Sequence, residues 1–217
     1  MSLAAVPESE GLDARTKTRI ELAAALRWAV RMGMHEGICN HFSAVIPGED
    51  DRFLLNPHGY HWSEVRASDL VEVDAEGNAV DGKEPPEPTA FFIYYHIHRL
   101  VPDAKVVLHT HMPYATAITM LEAGRLEPVL QTSLKFYDQI AYDDLYNGLA
   151  LDDSEGERIA ASLQGGKRVA FLANHGVVVT GRNIAEAFDD LYYLERAAQA
   201  QVIAMSTNAP LRRVPQD

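Results

Sequence analysis

The run Lys105-Val106-Val107-Leu108-His109-Thr110-His111-Met112-Pro113 constrains this chain more than any other stretch of it. Three consecutive apolar residues without polar alternation read as a buried strand. The strand then meets Pro113, which is unsuited to a sheet interior and well suited to open a helix. Strand-to-helix punctuation of this kind recurs. His41 to Ile46 reads as a strand, Pro47-Gly48-Glu49-Asp50-Asp51 as turn chemistry and Arg52 to Leu55 as a returning strand, so an antiparallel hairpin is expected. Leu70 to Asp74 alternates apolar and charged residues, and Ala75 to Val80 reads as a hairpin turn closing onto a further short strand. Arg168 to Leu172 and Val177 to Thr180 are strands flanking Ala173-Asn174-His175-Gly176. Helices are expected over Ile20 to Met34, from a Thr89 cap through Leu100, from Pro113 towards Leu121, and over Ile184 to Ser206. Glu122 to Asp153 is the least legible part and reads as mixed loop and short elements. The pattern belongs to the α/β class.

A chain of 217 residues can bury a full core, and a single domain is expected. Acidic residues outnumber basic ones, 31 against 19, giving a net charge of −12 with no long Lys/Arg block, which argues against nucleic acid as a partner. Cys39 is the only cysteine, so there is no intrachain disulfide and no paired-cysteine zinc ribbon, and the reducing cytoplasm is the expected location. Met1 to Arg19 is polar and carries Glu8, Glu10 and Asp13, unlike a signal peptide. No stretch approaches the ~20 apolar residues of a membrane span, so no membrane partner is expected.

Nine histidines are present, and most need no special role. His109 and His111 differ: two positions apart on a strand, they project their rings to the same face, where both can reach one ion. A third ligand must come from elsewhere. His175 is the best candidate, because it sits in a tight Asn-His-Gly segment where Gly176 permits either close backbone approach or a positive φ. Three neutral imidazoles leave a coordination position open for water or a substrate oxygen, as a Lewis-acid site requires. One divalent ion is expected there, zinc first, with manganese, iron, cobalt or nickel as alternatives. His35, His41, His58, His61, His96 and His98 read as ordinary polar or hydrogen-bonded residues, with His41, His58 and His98 the first to reconsider.

Further motifs stand in a telling order: Asn40-His41-Phe42-Ser43, Asn56-Pro57-His58-Gly59, Asp69 to Asp74 with Gly77-Asn78 beyond, Pro102 to His111, and Asn174-His175-Gly176 followed by the long helix. In this order and spacing, across roughly residues 15 to 205, the chain resembles the class II aldolase/adducin family. The resemblance implies a three-layer α/β/α sandwich around a largely antiparallel central sheet, with a domain over residues 15–207 between tails at 1–14 and 208–217. It implies that His109, His111 and His175 are the metal ligands and that Asn40, Gly59 and Thr89 bind the phosphate or carboxylate end of a small-molecule substrate. It also implies a homo-oligomer, commonly a cyclic tetramer.

The pattern breaks at one informative place. The aldolases carry an acidic residue nineteen positions before the first metal histidine, and here that position is Ala90, which transfers no proton. Glu87 lies one helical turn before it and Tyr94 one turn after; these, with Tyr137 and Tyr142, are the candidate proton carriers, and each also has a structural reading. The loop Pro85-Pro86-Glu87-Pro88 lacks the hydroxyl pair of sugar-phosphate aldolases, and Cys39 replaces the glycine expected before Asn40, both of which argue against a phosphorylated sugar. Two readings follow: a metal-dependent lyase, aldolase- or decarboxylase-type, acting on a small hydroxy, keto or aromatic acid through a metal-stabilised enolate, or a non-catalytic adducin-like binding module.

Overall fold

A computed structural model describes residues 11–146, 148 and 153–215. Residues 1–10 of the expected N-terminal tail and 216–217 of the C-terminal one lie outside the described residues. In chain order the elements are α1 (Ala14–Arg31), β1 (His41–Ile46), β2 (Glu49–Leu55), β3 (Val71–Val73), α2 (Pro88–Leu100), β4 (Val106–Thr110), α3 (Pro113–Thr119), α4 (Gln131–Leu134), β5 (Ile140–Asp143), α5 (Asp153–Ser162), β6 (Val169–Leu172), β7 (Gly176–Gly181) and α6 (Ile184–Met205). The strands form one sheet in the order β3-β2-β1-β4-β7-β6-β5, antiparallel throughout except for the β5–β6 pair.

Period-two alternation divides the apolar residues of the central strands between two cores. Val106, Leu108, Val177 and Val179 pack on the side of α1, α3 and α6 with Leu22, Leu26, Leu191 and Leu194, while Val107 and Val178 pack on the side of α2 and α5 with Ile93, Ile97, Ile159 and Leu163. Helices therefore cover both faces of the sheet, and every residue of β4 is buried, which is why its sequence shows no polar alternation. The three-layer α/β/α architecture is the one the family resemblance implies. Among the described residues no helix is long and apolar enough to cross a membrane.

Several boundaries differ from expectation for identifiable reasons. Helix α1 begins at Ala14, well before Ile20, because the Asp13 side chain accepts the Thr16 N–H at 2.9 Å and caps it. Thr89 is not the cap of α2: Pro88 occupies the first helical turn, so the cap falls to Glu87, whose carboxylate accepts the Ala90 N–H at 3.1 Å. The short strand expected after Ala75 to Val80 is reduced to a single bridge between Val73 and Ala79. Helix α5 has no counterpart in the sequence reading. Its Gly156 is a poor helix former, yet a Cβ there would stand 2.2 Å from the Phe92 carbonyl oxygen, so the glycine is what lets α5 lie against α2.

His98, half-buried between α2 and the sheet, contributes a pH dependence of its own. Its Nδ1 donates to the Ala104 carbonyl at 2.6 Å and its Nε2 accepts from the Ser43 hydroxyl at 2.7 Å, a pairing that the neutral ring satisfies completely. Burial pushes its pKa down from 6.5 to about 4. The unfolded chain takes up this proton below pH 6.5 and the folded chain does not until about pH 4, so stability is whole above pH 6.5 and is lost as pH falls between those values. The loss from this one ring is expected to be about 3 kcal/mol. Because His41, His109 and His175 add to the same window, the difference in urea unfolding between metal-free parent and His98→Gln from pH 7 to pH 4 measures it; the variant's slope should be flatter by up to one proton.

Candidate metal centre

Three elements bring the centre together. Strand β4 delivers His109 onto the α2 side of the sheet, and the chain continues past Thr110 so that His111 follows on the same side. The β6–β7 hairpin supplies the third ring: Leu172 pairs with Gly176, Asn174 takes the left-handed conformation at φ 55°, and the His175 N–H closes the turn on the Leu172 carbonyl at 3.1 Å. Of the two reasons for a glycine at position 176, close approach is the one that holds. A Cβ there would lie 2.7 Å from Cδ2 of His111 and 2.8 Å from the Thr110 carbonyl oxygen.

The three ring centroids stand 4.8 to 5.0 Å apart, and one nitrogen of each ring lies within 4.8 Å of the other two. His109 donates from Nδ1 to the Val177 carbonyl at 3.0 Å, which leaves Nε2 as its free acceptor. His111 pairs through Nδ1 with Glu36, and its Nε2 is buried with no hydrogen-bond partner. Burial first, and then the neighbouring rings, holds the pKa of His109 well below its ordinary value. His175 is pushed down to about 4 for the same reasons. His109 and His175 are therefore neutral at pH 7 and present lone pairs, the form in which imidazole binds a metal. Three mutually close ring nitrogens, that of His111 buried and without a partner, fit a divalent ion.

Beside the rings lies a cavity of about 300 Å³ whose wall includes the N-terminal half of α2 and the loop before β1. Asn40, one of the expected substrate-binding residues, lines it. Its backbone sits at φ 75°, its Oδ1 accepts the His111 N–H at 3.1 Å, and its buried Nδ2 has no partner. Thr89 also lines the cavity, with its hydroxyl donating to Glu87. Gly59 does not line it, although its neighbour His58 does; Gly59 takes φ 78° in the loop that carries His58.

The candidate proton carriers separate spatially. Glu87 and Tyr94 line the cavity, whereas Tyr137 does not and is exposed. The Tyr94 hydroxyl is committed to the backbone, donating to the His41 carbonyl. Tyr142 belongs elsewhere: its hydroxyl accepts the Leu126 N–H at 3.1 Å and Arg125 stacks over its ring. Ala90 is buried and faces the cavity with a methyl group.

Two histidines taken as ordinary also reach this cavity. His41 pairs across the sheet with His109, and burial pushes its pKa to about 4; His58 stands near enough to act on it. Their adjacency to Asn40 and Gly59 is the sequence signal that marks them. The remaining histidines are paired as expected: His35 with His61, His96 with Asp153, and His98 as above.

Comparison with known sequences shows that residues 20–202 match the profile of the class II aldolase and adducin N-terminal domain. The chain belongs to this family. A Caulobacter vibrioides protein provisionally named a class 2 aldolase is 40% identical over 196 residues, 89% of this chain and 75% of the relative. Decarboxylase NovR of Streptomyces niveus is 30% identical over 198 residues, 90% of this chain and 73% of the relative. The crystal structure of an aldolase II superfamily protein from Pseudomonas syringae superposes with a TM-score of 0.88 at 37% identity, covering 94% of this chain and 83% of the other. Membership in a family with aldolase- and decarboxylase-named members agrees with a lyase, and class II aldolases generally depend on a metal.

Proposed function

We propose that the chain is a divalent-metal-dependent carbon–carbon lyase, decarboxylase-type in the first instance, acting on a small hydroxy, keto or aromatic acid. The observation that carries this reading is the convergence of three imidazoles, one with a buried and unpaired Nε2, on a cavity that also presents a carboxyl group. A divalent ion held by His109, His111 and His175, zinc being the first choice, supplies Lewis acidity for negative charge developing on a substrate oxygen.

The chain's own residues do the rest. The unpaired Nδ2 of Asn40 is a donor for a substrate oxygen, and its fixed backbone needs no rearrangement to offer it. Thr89 adds a hydroxyl at the same wall. Ile38, Ala90 and Ile93 give the cavity apolar lining, which suits the body of an aromatic or branched acid. When carbon dioxide leaves, the electron pair of the broken bond stays on the substrate and a proton must replace it. Glu87 is the group placed to carry that proton, because Tyr94 is tied to the backbone and Tyr137 lies outside the cavity.

Retro-aldol cleavage demands that a hydroxyl proton be removed before the bond breaks, and Ala90 removes the family's usual base for that step. The same alanine favours a second reading, an adducin-like binding module without chemistry. By likeness to the family, a cytoplasmic homotetramer is part of the proposal. A panel of keto, hydroxy and aromatic acids, offered to metal-loaded protein with carbon dioxide and aldehyde measured in parallel, tests the assignment. Carbon dioxide release from at least one acid is expected; aldehyde alone would make the chain an aldolase, and silence throughout would leave the binding module.

A further inference from the structure

We infer that Glu36 is a positioning residue of the metal centre, fixing the tautomer and direction of the His111 ring and thereby setting metal affinity; the inference rests on the metal-centre reading above. A neutral imidazole carries one proton on either of two nitrogens, and which nitrogen can bind a metal depends on the partner of the other. An ionised carboxylate accepts hydrogen bonds only, so its contact with His111 Nδ1 requires the proton to be on Nδ1. The lone pair is then on Nε2, the buried nitrogen without a partner. His109 reaches the same state through the Val177 carbonyl, which the sheet holds rigidly. For His111, just beyond the end of β4, a side chain from a loop does this work.

The loop is built to hold that carboxylate in place. The Met34 carbonyl accepts from the Thr110 hydroxyl, the Cys39 N–H returns to the Glu36 carbonyl at 2.9 Å, and Asn40 Oδ1 takes the His111 N–H at 3.1 Å. One short segment thus grips His111 at its backbone and at the outer edge of its ring. Glu36 is not itself among the residues whose ligand atoms converge; it meets His111 at Nδ1, the nitrogen opposite the unpaired Nε2. Its negative charge also raises the basicity of the ligand and offsets part of the charge of an ion bound by three neutral rings.

Chelator competition with zinc, and the visible absorption of the cobalt-loaded protein, test this without relying on turnover. Glu36→Ala is expected to weaken zinc binding by roughly 10- to 100-fold and to shift the cobalt bands. Glu36→Gln keeps an acceptor without the charge and should fall between Ala and the parent. The side chain is largely exposed, so the melting temperature of the metal-free protein should stay the same in both variants. A zinc affinity within twofold of the parent in Glu36→Ala, with unchanged cobalt bands, would overturn the inference while leaving the metal centre standing. A parent protein that takes up neither metal would remove both.

Discussion

His109→Ala is expected to lower zinc affinity by roughly 10²- to 10³-fold and to abolish turnover at ordinary metal concentrations. Binding of a four-coordinate zinc is worth about 10–16 kcal/mol in small folded sites, or on the order of 3–4 kcal/mol for each ligand, and 1.4 kcal/mol is a factor of ten. His109 should show the full effect, because it is the most enclosed of the three rings and the only one inside a regular strand. No neighbouring side chain on β4 can replace it: Leu108 and Thr110 point to the other face of the sheet, where Leu108 enters the core and Thr110 bonds the Met34 carbonyl. Metal analysis of the purified variant, beside a chelator titration of the parent, measures the outcome. Unchanged metal content in the variant would mean that the ion, if any, is bound elsewhere.

The histidine cluster was legible because two of its members obey a local rule. His109 and His111 inherit a common face from the period of the strand, and Val106 to Leu108 identifies that strand as buried. His175 required a guess about a turn, supported by Gly176, whose real reason is the proximity of His111. Glu36 could not have been found in this way: it is a polar loop residue seventy-five positions from the ring it holds, and nothing local marks it. The parallel pairing of β5 with β6 was hidden for the same reason, since parallel strands meet only through distant crossovers. Helix α5 was hidden by Gly156, whose low helix propensity is the cost of a tertiary contact with α2 that only coordinates reveal. What could be read was set by local periodicity, and what was missed depended on long-range packing. The layered architecture itself came from the resemblance of ordered motifs, because strand and helix periods do not specify which strands become neighbours.

Glu87→Gln is expected to reduce kcat by about 10²- to 10⁴-fold, the range for loss of a general acid or base, with zinc content unchanged. The substitution is chosen to separate chemistry from structure. Glu87 caps α2 through Oε2, which accepts from the Ala90 N–H and the Thr89 hydroxyl, and a glutamine oxygen can accept both bonds. The start of the helix should therefore persist, and with it the position of Thr89 and Ala90 on the cavity wall; what disappears is the ability to hold and release a proton. Tyr94→Phe is the matching control on the other candidate. Its hydroxyl bonds the backbone carbonyl of His41, so its removal should cost about 1–2 kcal/mol of stability and change kcat by less than about tenfold. Steady-state kinetics on an acid that releases carbon dioxide, with thermal melts of both variants, distinguishes the two roles. A large kcat loss in Tyr94→Phe with near-normal turnover in Glu87→Gln would transfer the proton to the tyrosine, and would mean that Glu87 serves α2 alone.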